Sequence, residues 1–89
     1  MLRITHASEG PSEITLKLEG RVMSDWVPLL RQECLRILNE RKKILLDFSG
    51  VIFIDNQGVE MLRGIAGKEV KLVNCSSFIE GVLREGENP

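Results

Sequence analysis

Two carboxylates stand where chemistry would be sought. Asp47 directly follows the apolar run Ile44-Leu45-Leu46, and Asp55 directly follows Val51-Ile52-Phe53-Ile54. As a pair they could hold a cation or exchange protons with a substrate. Each also has a simpler role, because an Asp side chain accepts backbone N–H groups where a strand turns or a helix starts. That simpler role is the one expected here. His6 is the only histidine. No Cys, Asp or Glu pair at ligand spacing accompanies it, so it reads as a surface residue of a strand. Cys34 and Cys75 fit neither metal nor redox spacing and read as small core hydrophobes. The sequence holds no nucleophile–histidine set, no Walker loop and no G-x-G-x-x-G. A non-enzymatic protein without metal or cofactor is expected.

The most informative surface is the helix start after Asp55. Asp and Asn favour N-cap positions, and Leu62, Ile65 and Ala66 follow at helical spacing. The backbone N–H groups of Asn56, Gln57 and Gly58 are expected to point outward with the positive end of the helix dipole. Upstream, Lys43 to Gly58 reads as a strand buried on both faces at Ile44–Leu46, a turn at Ser49-Gly50, an apolar plug over Val51–Ile54 and a capped helix start.

The elements that position this stretch follow from periodicity. Leu2–His6 alternates weakly, and Glu9-Gly10-Pro11-Ser12 is a turn by composition. Ile14–Glu19 alternates strictly, which predicts an antiparallel hairpin with one wet face. Gly20-Arg21 closes that strand. Asp25 is the expected N-cap of a helix reaching about Arg41, because Pro28 then falls in the first turn, where a missing N–H costs nothing. Val27, Leu30, Cys34, Ile37 and Leu38 form its buried stripe, and Arg31, Gln32, Arg36 and Glu40 its wet face. Trp26, the only tryptophan, fits either a core plug or an exposed anchor for a partner. A second helix runs from Gln57 to about Ala66, weakened by Gly64. A strand over Glu69–Val73 follows. The last helix is announced by a capping box, Ser77 with Glu80, and carries a stripe of Phe78, Ile79, Val82 and Leu83. Residues 85–89 are expected to fray. The order β-β-α-β-α-β-α predicts an α/β fold: a mostly parallel four-stranded sheet with an antiparallel edge strand, packed by three helices. The last strand is then an open edge. Either Lys68 and Lys71 discourage pairing there, or a partner or a second copy covers it, giving a homodimer.

Composition sets the outer limits. At 89 residues, 43% hydrophobic and 28% charged, the chain is expected to form one small globular domain over 1–89. A formal charge of −1 argues against nucleic-acid binding through bulk electrostatics. Arg41-Lys42-Lys43 falls at a helix end, where cations offset the dipole. No secretory signal and no run of membrane-spanning length is visible, so a cytoplasmic location without membrane insertion is expected. The initial Met implies a nearly native start.

The residues Asp47-Phe48-Ser49-Gly50-Val51, Phe53-Ile54-Asp55 and Gly58 resemble the signature of the STAS family, D-[LF]-S-G-V-x-x-[IV]-D-[ST]-[ST]-G. That family includes bacterial anti-sigma factor antagonists and the cytoplasmic tails of sulfate transporters. The resemblance extends more weakly from about Ile14 to Arg84. It implies a STAS-like (βα)n superhelix, and a chain shorter than usual at the C-terminus, where relatives continue with another strand and helix. It also implies partner contacts at Asp55, Asn56, Gln57 and Gly58, and at Met23 and Ser24 in the loop before the first helix. Two departures stand out. Gln57 occupies the position of the phosphorylated Ser or Thr and has no hydroxyl. Met23 replaces the Asp of a common G-R-[LV]-D, here Gly20-Arg21-Val22-Met23.

The resemblance therefore implies a regulatory protein-interaction module like an anti-sigma factor antagonist, without the phosphorylatable residue. Its partner would be an anti-sigma factor with a histidine-kinase-like ATPase fold. An alternative is a small cytoplasmic STAS subunit of a phospholipid or anion transporter. A third reading, a nucleotide-binding domain, rests only on reports for some relatives and has no phosphate loop behind it.

Overall fold

The computed structural model describes residues 1–85. Four strands and three helices follow the expected order: β1 (Leu2–Glu9), β2 (Glu13–Val22), α1 (Trp26–Asn39), β3 (Lys43–Ile54), α2 (Asn56–Ile65), β4 (Val70–Val73) and α3 (Ser77–Glu85). The tail expected to fray falls, from residue 86 on, outside the described residues.

The strands form one sheet in the order β1-β2-β3-β4. β1 and β2 pair antiparallel across the Gly10–Ser12 turn, where the Gly10 N–H donates to the Glu13 carbonyl at 2.8 Å. β2–β3 and β3–β4 pair parallel. Both parallel steps move the same way across the sheet. Right-handed crossovers then place α1 and α2 on the same face. Burial agrees. Ile14, Leu16, Leu18 and Val22 of β2, with Ile44, Leu46 and Phe48 of β3, join Leu30, Cys34, Ile37, Leu62 and Ile79 of the helices in one core cluster. The opposite sheet face carries Thr15, Lys17, Leu45 and Asp47, all half-buried. β3 is therefore not buried on both sides as the run Ile44–Leu46 implies. Leu45 points away from the helices, and only its neighbours enter the core.

The larger correction concerns Ser49-Gly50. It does not end the strand; β3 runs unbroken to Ile54. Lys17 pairs with Asp47 but Glu19 with Gly50, and Gly20 pairs with Val51 but Arg21 with Phe53. β3 thus carries an extra residue at each of two bulges. The bulges reset which side chains face inward. Buried positions run Ile44, Leu46, Phe48 at a period of two, then Val51 and Ile54 at a spacing of three. Ile52 and Phe53 fall between them and face outward, 66% and 36% exposed. The expected apolar plug is therefore half core and half surface. Gly50 is needed at the first bulge, since a Cβ there would lie 2.8 Å from Glu19 Cγ and 3.0 Å from the Leu18 carbonyl oxygen.

Smaller differences have local causes. β2 continues through Gly20-Arg21 to Val22 because β3 extends beside it. Asp25 occupies the N-cap of α1 but makes no side-chain cap. Its backbone is already helical, at φ −64° and ψ −19°, and the turn is closed instead by Trp26 N–H to the Met23 carbonyl and Val27 N–H to the Ser24 carbonyl. α1 ends at Asn39, with Arg41 in the left-handed region at φ 62°. The cap of α3 is Ser76, one residue earlier than the capping box implies, its Oγ accepting from Ile79 N–H at 3.1 Å. Phe78 stands 59% exposed, outside the stripe, while Ile79 is buried. Trp26 is half-buried against the core. Cys34 is fully enclosed, and burial followed by the charge of Glu33 pushes its thiol up to about 11. β4 has no further strand on its outer side among the described residues.

Gly64 lies on the exposed side of α2 with nothing within 4 Å of an added Cβ. Replacing it with Ala removes backbone entropy from the unfolded chain without a clash. Gly64→Ala is expected to stabilise the protein by about 1 kcal/mol, read as a higher urea midpoint at unchanged slope.

Candidate functional site

The site is built where β2 and β3 end together. Val22 pairs with Ile54, and Asp55 N–H donates to the Val22 carbonyl at 3.1 Å. Both chains then turn back toward the helix layer, one into α1 and the other into α2. Asp55 joins the two exits. Its Oδ1 accepts from Gly58 N–H at 2.8 Å, an N-cap on the third residue of α2, and its Oδ2 accepts from Ser24 N–H at 2.9 Å. Ser24 is held in the left-handed region at φ 47°. That conformation is uncommon for a residue with a side chain, and the carboxylate meets the N–H it presents. One side chain therefore brings Met23 and Ser24 beside Asp55–Gly58, so all six residues named from the sequence share one corner of the molecule.

Within that corner their roles differ. Asn56 and Gln57 are exposed, Asp55 and Met23 are half-buried, and Gly58 is buried. Gly58 is a packing residue. A Cβ there would lie 2.8 Å from both the Val22 carbonyl oxygen and Ile54 Cγ1. The expectation of three outward N–H groups is corrected to two. Asp55 takes that of Gly58, while those of Asn56 and Gln57 have no partner among the described residues.

Asp47 also meets the simpler expectation. Its Oδ1 accepts from Ser49 N–H at 2.9 Å and from Asn74 Nδ2 at 3.1 Å, bracing the first bulge and the end of β4. These bonds, the Ser49 N–H foremost, hold its carboxyl below the ordinary value. Asp47 and Asp55 thus serve separate backbone turns and do not act as a pair. His6 lies apart, its two ring nitrogens 3.4 Å from Glu9 and 3.3 Å from Glu33. Glu33 is engaged chiefly by Arg36, which lowers its carboxyl. No cluster suited to a metal ion occurs among the described residues.

The features that sequence reading missed are Ile52 and Phe53. They lie three and two residues before Asp55, and Phe53 pairs with Arg21, two residues before Met23. They put exposed apolar side chains on the strand segment that leads into the polar helix tip. A run of four apolar residues gave no means of separating inward from outward positions; the bulge register does.

A mixed four-stranded sheet covered on one face by helices, with an Asp-capped helix start where β3 ends, defines a protein of the STAS class. A family model described as "Mlab, STAS domain" matches residues 5–85, and the chain belongs to the STAS family. Among solved structures it is similar in fold to the anti-sigma factor antagonist SpoIIAA in its unphosphorylated form. That likeness has a TM-score of 0.69 at 18% identity and covers 94% of this chain and 82% of that one. No curated protein gives a significant sequence match.

Two expectations follow. Gly58→Ala forces backbone or Ile54 to move and is expected to destabilise by about 1–3 kcal/mol. Asp55→Ala loses a cap and the Ser24 tie and is expected to cost about 1–2 kcal/mol. Urea unfolding measures both. For Asp47, the folded state binds its proton less readily than the unfolded chain. Its contribution is therefore complete above about pH 4 and fades as pH falls through the folded value. The difference in urea midpoint between the wild type and Asp47→Asn should accordingly shrink on acidification from pH 6 to about pH 3.

Proposed function

We propose that this protein is a non-enzymatic regulatory module that binds another protein through the corner formed by Asp55–Gly58 and Met23-Ser24, fixed in its binding-competent state. The observation that carries this reading is the pairing of a polar helix tip with exposed apolar side chains. Asn56 and Gln57 are exposed on a tip that Asp55 locks in place, and Ile52 and Phe53 are exposed in the strand that leads into it. Exposed aromatic and aliphatic side chains next to directional polar groups are the usual anchors of a protein interface.

Gln57 makes the state constitutive. A phosphate on a hydroxyl at this place would add a charge of about −1.5 to −2, facing the partner and not the domain's own core. An amide cannot accept the group and carries no charge, so it resembles the unmodified form. In this reading the partner is an anti-sigma factor of kinase-like fold, in line with the antagonist whose fold the chain shares. A transporter component would use the same corner. No helix among the described residues is long and apolar enough to cross a membrane.

The experiment is affinity capture from the source organism, identification of the retained protein, and titration of that purified partner with wild type and variants. Gln57→Asp is expected to weaken binding by about tenfold or more, roughly 1.4 kcal/mol, and by more than any other surface substitution. An acidic residue in the first turn favours the helix, so the loss would not come from unfolding. Ile52→Ser is expected to weaken binding through lost apolar contact. Equal affinity of wild type and Gln57→Asp would refute the assignment.

A further inference from the structure

The outer side of α1 carries a second feature that the helix tip does not explain. Leu35 lies outside the helix's buried stripe and is half-exposed. With Pro28 and the accessible margins of the buried Val27 and Met61 it forms the apolar part of an open groove of about 620 Å³ along α1, reaching α2 at Met61. No carboxylate lines this groove; its charged residues are Arg31 and Arg36. Arg36 is already engaged by Glu33 and Glu40. Arg31 is exposed and has no acidic group within 4.0 Å among the described residues. The groove therefore presents apolar surface and one uncompensated cation.

Its position links it to the helix tip. Met61 follows Gln57 by four residues, which puts the two one above the other on the same face of α2. A partner held at Gln57 would reach the groove one helical turn further on. The groove runs from Val27 to Asn39, a rise of about 18 Å along α1, which matches roughly three turns of a helix laid beside it.

We infer that the groove receives an amphipathic helix of the partner, with apolar residues at three- and four-residue spacing set against Val27, Leu35 and Met61 and a carboxylate facing Arg31. This deepens the proposed function and rests on it for the identity of the partner. The chemistry of the occupant follows from the groove itself: apolar side chains fill its floor, and the free guanidinium selects an acidic over a basic segment.

The test uses the full chain, labelled with nitrogen-15, and two synthetic peptides of about 14 residues, close to the shortest length that forms helix in isolation. Both carry leucines at the same three- and four-residue spacing; the polar face is glutamate in one and lysine in the other. The acidic peptide is expected to shift the amides of Arg31, Leu35 and Met61 and to bind about tenfold more tightly than the basic one. Arg31→Glu should reverse that order, and Leu35→Ser should weaken both peptides. Each variant's own spectrum reports whether it is folded. Equal affinity for the two peptides, shifts confined to other surfaces, or an order unchanged by Arg31→Glu would overturn the inference. The peptides require no knowledge of the partner, so failure here leaves the Gln57 titration standing. Failure of the Gln57 titration likewise leaves the peptide result standing.

Discussion

The carboxylate of Asp55 is the constraint on which the working end of the molecule depends. It accepts one N–H from the start of α2 and another from a loop thirty-one residues earlier in the chain. Parallel strands that end together leave two chain exits side by side, each free to swing in the absence of a shared anchor. A bidentate acceptor at the end of β3 fixes both with one side chain. Charged acceptors form the stronger class of hydrogen bond, and here the bonds are spent on orientation. Gly58 completes the arrangement from below, because only a residue without a Cβ lets α2 approach the Val22 carbonyl so closely.

The bulges in β3 carry the second part of the design. A regular strand of this length would keep alternating and would bury every second residue to its end. Two extra residues turn the last segment so that Val51 and Ile54 continue the core while Ile52 and Phe53 leave it. Asp47 braces the first bulge through Ser49 and ties it to Asn74 at the end of β4. Bulges are places where a sheet re-aims side chains. In this protein they leave apolar side chains exposed in the strand segment that ends at Asp55. The STAS signature can be understood in these terms: one Asp for the bulge, a Gly for its tight approach, a second Asp for the cap, and a Gly for the helix contact.

On the proposed reading, Gln57 changes what such a corner can do without changing how it is built. The position is exposed and bonded to nothing that holds the fold together, so an amide replaces a hydroxyl there at little structural cost. In the proposed function, what the amide removes is an input. A module whose surface cannot acquire charge at this point responds to the concentration of its partner and not to a kinase acting on this residue. The groove proposed as a docking surface beside Arg31 fits the same reading, in which specificity would come from fixed surface chemistry along α1 and α2.

Much of this was legible in the residues alone. Strict alternation over Ile14–Glu19, the helical stripe from Val27 to Leu38 and the Asp–Gly spacing around α2 follow from local periodicity and local hydrogen bonding, and each element formed with the type expected. Asp55 to Gly58 were also nameable, because the motif that carries them is contiguous, whereas Met23 and Ser24 came from a separate stretch before the first helix. Tertiary structure decided the rest, for reasons that local pattern does not contain. Whether Leu45 meets helices or open surface depends on which face the crossovers cover. Whether Ile52 and Phe53 are core or surface depends on how β3 registers against β2. That Ser24 meets Asp55 depends on two strands ending level with each other. These are relations between segments distant in the chain, settled only when the sheet assembles and one face of it is closed.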